Sequence, residues 1–128
     1  MVRADARLVG SDAERLAHDF LQQKGLAFLA RNFRCRLGEI DLIMRDGSCL
    51  VIVEVRYRTD NRFARARLSV DIHKRRKIIR TAAMFLARNA QYANNVVRFD
   101  IVAIDANRRD GTSIEWIRDA FRPEDANL

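Results

Sequence analysis

The sequence predicts an α/β fold, a mixed central β-sheet flanked by helices, with elements in the order α, β, β, β, α, β. Three features carry that expectation. An amphipathic helical stretch stands near the N-terminus, a β-hairpin signal surrounds Asp46-Gly47, and a second helical stretch separates that hairpin from a further apolar run. Helices placed between strands have a sheet face to cover.

The first helix is expected over Asp12 to Lys24. Ala13, Leu16, Ala17, Phe20 and Leu21 recur at helical spacing, Ser11 and Glu14 stand in capping-box relation, and Gly25 ends the run. Leu26 to Arg34 alternates loosely and reads as a strand weakened by Asn32. Glu39 to Arg45 and Ser48 to Tyr57 are two β-rich runs joined by a two-residue turn. Ile72 to Asn89 carries Ile78, Ala82, Phe85 and Leu86 on one stripe, which predicts the longer helix. Val96 to Asp105 reads as an apolar strand, and Ser113 to Ile117 is a candidate for one more.

The length of 128 residues suits one domain, with a core over about 11–122 and a short polar C-terminal tail. Met1 to Gly10 lacks the apolar region of a secretory signal, and no apolar run approaches the ~20 residues of a membrane span. A cytoplasmic protein with no membrane partner is expected. Cys35 and Cys49 lack the spacing of a zinc or redox motif and read as reduced packing residues. His18 and His73 are isolated and receive no catalytic role.

Net charge is +7, from 24 basic and 17 acidic residues, which favours a polyanionic partner. The excess is grouped: Arg31, Arg34 and Arg36; then Arg56, Arg58, Arg62, Arg65 and Arg67; then Lys74, Arg75, Arg76, Lys77 and Arg80. A solvated basic surface and a phosphate-binding surface both account for such groups. Lysine is confined to Lys24, Lys74 and Lys77.

The hairpin places chemistry on one face. With Asp46 and Gly47 as the loop, Arg45 pairs with Ser48, Asp41 lies opposite Ile52, and Glu39 lies opposite Glu54. Ile40, Leu42, Met44, Cys49, Val51, Val53 and Val55 then share an apolar face. Glu39, Asp41, Glu54 and Arg56 share the other, with Asp41 and Glu54 as diagonal neighbours at roughly 7 Å between β-carbons. Like charges so close destabilise a sheet unless a cation relieves them, and hard carboxylate oxygens suit Mg2+ or Mn2+. Arginine pairing at an exposed strand end is the plainer account of Glu39 and Asp41, and a capping box is the plainer account of Glu14.

Gly38-Glu39-Ile40-Asp41-Leu42-Ile43 and Val53-Glu54-Val55-Arg56 together resemble the signature of the YraN family of bacterial proteins. The resemblance extends through Ala13-Glu14, Arg31-Asn32-Phe33-Arg34, Lys74 and Arg98-Phe99-Asp100, and so covers nearly the whole chain. That family is similar to the archaeal Holliday-junction resolvases and to the PD-(D/E)xK, restriction-endonuclease-like nucleases.

The resemblance implies a restriction-endonuclease-like core and magnesium-dependent cleavage of phosphodiesters. It implies that Asp41, Glu54 and the backbone carbonyl of Val55 ligate the metal, with Glu14 holding a second ion or a metal-bound water. Arg56 stands where the nuclease pattern has lysine. An arginine is effectively never deprotonated, so it can orient water or neutralise charge on phosphate but cannot serve as a general base. A second departure is Arg62-Phe63-Ala64, where the family usually has glycine after the aromatic residue.

Three functional readings follow. The first is a metal-dependent endonuclease acting on DNA, with branched or structured DNA suggested by analogy with the resolvases. Its nucleic-acid contacts would come from Arg31, Arg34, Arg58, Lys74, Arg75 and Lys77, and paired incisions at a junction would require a homodimer. The second is a nucleic-acid-binding module that keeps the fold without hydrolysis, and the third is a scaffold for an acidic protein.

Overall fold

The computed structural model describes residues 11–58, 70–107 and 111–126. Arg62, Arg65, Arg67 and the Phe63-Ala64 departure lie outside those residues. The elements are α1 (Ser11–Gln23), β1 (Ala27–Cys35), β2 (Gly38–Asp46), β3 (Cys49–Arg58), α2 (Ile72–Arg88), β4 (Val96–Asn107) and β5 (Gly111–Phe121). Short 3₁₀ turns follow α2 at Ala90–Tyr92 and β5 at Pro123–Ala126. The strand suggested at Ser113 to Ile117 is real and longer than its apolar centre.

The five strands form one mixed sheet in sequence order. β1, β2 and β3 make an antiparallel meander, β4 and β5 an antiparallel hairpin, and β3 joins β4 in parallel. A parallel pair needs a long crossover, and α2 lies in it.

Each helix covers one sheet face. Ala13, Ala17 and Leu21 of α1 pack with Leu42, Met44, Val51, Val53, Val102 and Ile104. Ile78, Ala82 and Phe85 of α2 pack with Ile40, Ile43, Leu50, Ile52, Phe99 and Ile101. The central strands are therefore buried on both faces, which explains why Leu50 to Val53 is an unbroken apolar run. Ile40 departs from the expected face: it packs under α2 rather than beside Leu42. The departure coincides with a local irregularity, since Asn32, between the β1 partners of Ile40 and Leu42, takes a left-handed φ of 55°.

The hairpin loop is Gly47-Ser48, not Asp46-Gly47, because Asp46 pairs with Cys49. Gly47 has φ 62°, a conformation that favours glycine at the first loop position. Moving the loop one residue without changing its length preserves which residues share a face. The expected cross-strand partners change: Ile52 lies opposite Ile43, not Asp41.

Two further contacts fix the sheet. Gly38, at φ 154°, lets the start of β2 press against α2, where an added Cβ would lie 2.9 Å from Thr81 Oγ1. Between β4 and β5 the buried Asp100 carboxylate accepts from Arg98 Nε at 2.9 Å, Arg98 Nη2 at 3.0 Å, Trp116 Nε1 at 2.9 Å and the Asp119 backbone N–H at 2.9 Å. Arg98 also reaches Asp46 at 3.3 Å, tying β4 to the hairpin. Asp119, with φ 53°, lies in the irregular β5 stretch opposite Asp100, so this carboxylate satisfies a backbone group that the bulge removes from the ladder.

Asp100→Ala is expected to leave the Arg98 cation and the Trp116 N–H without that partner and to lower stability by about 3–5 kcal/mol. Urea unfolding measures the loss; a change below ~1 kcal/mol would show that the network is dispensable.

Candidate functional site

The candidate site lies where β2 leaves β3. Backbone pairing of the two strands ends at Leu42 and Val53. Continuing that register sets Asp41 directly across from Glu54 and sets Ile40 across from Val55. The Val55 N–H, however, donates to Asp41 Oδ2 at 2.8 Å. A side-chain carboxylate has taken over the acceptor position at the point of parting.

Glu54 is only 6 % exposed, and its Oε2 receives the Lys74 ammonium at 2.8 Å. Lys74 comes from the first turn of α2, whose start is fixed by Asp71. The Asp71 carboxylate accepts the backbone N–H of His73 at 2.9 Å and of Lys74 at 3.0 Å. Glu14 reaches the site from α1 and is buried to 9 % exposure. Asn32 and Asp41 lie close enough to act on its carboxyl. Its carboxylate thus has neighbours on the sheet. Asn32, the residue that weakened the strand signal, is a site neighbour that sequence reasoning passed over.

Electrostatics follow from this crowding. Burial first, then the Glu54 and Glu14 charges, push the Asp41 carboxyl up to about 7, against the Val55 N–H and Lys74, which favour its ionised form. Burial also raises Glu14, with Glu39 adding to the rise and Asn32 opposing it.

The remaining expected residues divide. Val55 and Arg56 continue β3 and are half-buried. Glu39 is exposed and pairs with Arg34 at 3.2 Å. Arg31 is exposed, its guanidinium 5.7 Å from the centre of the Phe28 ring. Arg75 is drawn inward: its Nε donates to the Val70 carbonyl at 2.6 Å, and its guanidinium lies over the Phe121 ring at 5.6 Å. Lys77 is exposed, and the Arg58 side chain lies outside what is described. Lys74 and Lys77 line a cleft of about 400 Å³ with Gly38, Glu39, Asp71 and His73.

Among the described residues, no group of three or more His, Cys, Asp or Glu side chains forms a ready-made metal cage. What the geometry brings together is the pair Asp41 and Glu54, with Glu14 on Asp41 and a lysine on Glu54. The donor set fits a hard divalent cation: carboxylates that repel one another, and an ammonium already standing in as their counter-charge. No helix among the described residues is long and apolar enough to cross a membrane.

The molecule is thus an α/β protein with a mixed sheet and an acidic pair, Glu54 buried and Asp41 half-buried, at the parting of two strands, consistent with a nuclease-like α/β core. Residues 13–104 match the model of the uncharacterised protein family UPF0102, the YraN family, and the chain belongs to it. A UPF0102 protein of Halorhodospira halophila is 48% identical over 122 residues, covering 95% of this chain and 93% of the relative. One from Nitrosospira multiformis is 48% identical over 115 residues, 90% and 93% of the two chains. One from Pseudomonas fluorescens is 46% identical over 112 residues, 88% and 91% of the two.

A pH dependence follows. The folded Asp41 holds its proton up to about 7, above the ordinary carboxyl value of 3.8. Between those values the folded state binds more protons than the unfolded one, so stability falls as pH rises. Asp41→Asn keeps an acceptor for the Val55 N–H and removes the charge. It should raise stability at pH 8 by on the order of 2 kcal/mol and flatten the fall. Thermal melts from pH 4 to pH 8 check this, and an unchanged slope would refute it.

Proposed function

We propose that this protein is a divalent-metal-dependent endonuclease that hydrolyses phosphodiester bonds of DNA, branched or structured DNA included. The observation that carries the reading is the Asp41 and Glu54 pair at the parting of β2 and β3, with the Asp41 carboxyl held well above its ordinary value and a lysine counter-charge on Glu54. Such a pair is costly in a sheet and is explained by a cation it exists to hold.

Asp41 and Glu54, with the Val55 carbonyl and Glu14, would hold Mg2+ or Mn2+. In an extended strand the N–H and C=O of one residue point to the same side, so the Val55 carbonyl faces β2 as its N–H does. An ion held there supplies Lewis-acid polarisation of the phosphodiester and acidification of water. Asp41, fixed through one oxygen by the Val55 N–H, would offer the other to the ion. Glu14 orients Asp41 or a water. Arg56 cannot accept a proton and would instead neutralise charge on the phosphate. Arg31, Arg34, Lys74 and Lys77 would meet the flanking backbone, and paired cuts would need a second copy of the chain. A cytoplasmic setting belongs to this reading.

Arg56 in place of the motif lysine favours one other reading, a nucleic-acid-binding module without hydrolysis. Cleavage of labelled linear, single-stranded and four-way-junction DNA in Mg2+, Mn2+ or chelator separates the two. Asp41→Ala and Glu54→Ala should each lower metal-dependent cutting by roughly a hundredfold or more while the circular dichroism of the fold is retained. Salt-sensitive binding with no cutting in any metal would replace the nuclease by the module. Arg56→Lys should raise the rate if arginine limits turnover, and an unchanged or lower rate would mean that the site is adapted to arginine.

A further inference from the structure

Lys74 has one backbone anchor and two environments. The anchor is Asp71, which accepts the Lys74 N–H at 3.0 Å and holds the first turn of α2 in place. One environment is Glu54, 2.8 Å from the ammonium. The other is the cleft between the start of β2 and α2, which Lys74 lines with His73 and Lys77. The two partners differ in freedom: the Glu54 side chain is 6 % exposed and the Lys74 side chain 51 %. Four methylenes let that ammonium move while its backbone stays fixed. Of the cleft's acids, Asp71 is engaged by the helix N–H groups and Glu39 by Arg34, which leaves the cleft's cations to face an incoming anion.

We propose that Lys74 is the site's exchangeable ammonium: it neutralises Glu54 when no metal ion is bound, and a divalent cation at Glu54 transfers it to a nucleic-acid phosphate in the cleft. The inference rests on the metal-binding reading of Asp41 and Glu54. It assigns the cleft as a phosphate subsite, and it makes metal and lysine competitors for one carboxylate. By linkage, metal and nucleic acid then strengthen each other's binding.

The test needs no turnover. Mn2+ binding, read from the paramagnetic resonance of the free ion, is compared for the unaltered chain, Lys74→Met, Lys74→Gln, Lys74→Arg and Asp41→Ala, each checked for fold by circular dichroism. The two neutral variants should bind Mn2+ about fivefold more tightly, the worth of a partly exposed ion pair. Lys74→Arg should stay near the unaltered value, and Asp41→Ala should lose binding. With Ca2+ as the ion, the unaltered chain should gain affinity for a labelled oligonucleotide, and Lys74→Met should gain less. Equal or weaker Mn2+ binding by the neutral variants, or an equal Ca2+ gain, overturns the exchange and leaves the metal site standing. Absence of Mn2+ binding in the unaltered chain and the neutral variants alike overturns both.

Discussion

The early parting of β2 from β3 is the constraint on which the rest of the site depends. Had the strands stayed paired to their ends, the Val55 N–H would have met a backbone carbonyl of β2, and Asp41 would have stood on an ordinary sheet face. Because the pairing stops at Leu42 and Val53, a carboxylate must supply the missing acceptor. That demand fixes Asp41 to within a hydrogen bond of β3, beside Glu54. Glu14 and Lys74 then approach from the helices on opposite faces of the sheet, so four chain segments meet at one split.

The parting is tolerable because the rest of the sheet is over-determined. β3 is paired along its whole length to β4, and both are buried on both faces. Asp100 performs on β4 a service like that of Asp41 on β2: a side-chain carboxylate accepts an N–H that strand irregularity has orphaned. The two differ in their counter-charges. Asp100 has the Arg98 guanidinium in bidentate contact and is closed, whereas Asp41 faces two further carboxylates and holds its proton to about pH 7. One irregularity is satisfied within the protein, and the other is left in electrostatic debt.

Much of this was legible in the residues. Helical stripes located α1 and α2 to within a residue or two at either end, and two-fold alternation with a glycine turn located the hairpin. Register was missed because Asp46-Gly47 and Gly47-Ser48 are both acceptable two-residue loops, and local turn chemistry cannot choose between them. Tertiary packing chose: the Asp46 carboxylate is needed by Arg98 from β4, 52 residues away. The pairing of Asp41 with Glu54 survived the error because loop length, which sets which residues share a face, was right. Glu14 was seen both as a cap and as a site residue, and only the fold of α1 onto the sheet brings it beside Asn32 and Asp41. Lys74 and Arg75 look alike in sequence, and helix phase separates them: one reaches Glu54, the other the Phe121 ring.

The single parallel junction in the sheet has a topological consequence. Everything from α1 to β3 is joined by short turns, and so is the β4 and β5 hairpin. Only the β3 and β4 ladder, which begins with Cys49 beside Val96, closes a loop of about fifty residues. All three acidic groups of the site lie in the N-terminal unit from α1 to β3, while the lysine lies in the crossover that joins β3 to β4. The acidic pocket is thus encoded by neighbours in the chain, and its counter-charge is delivered by the one connection of high contact order.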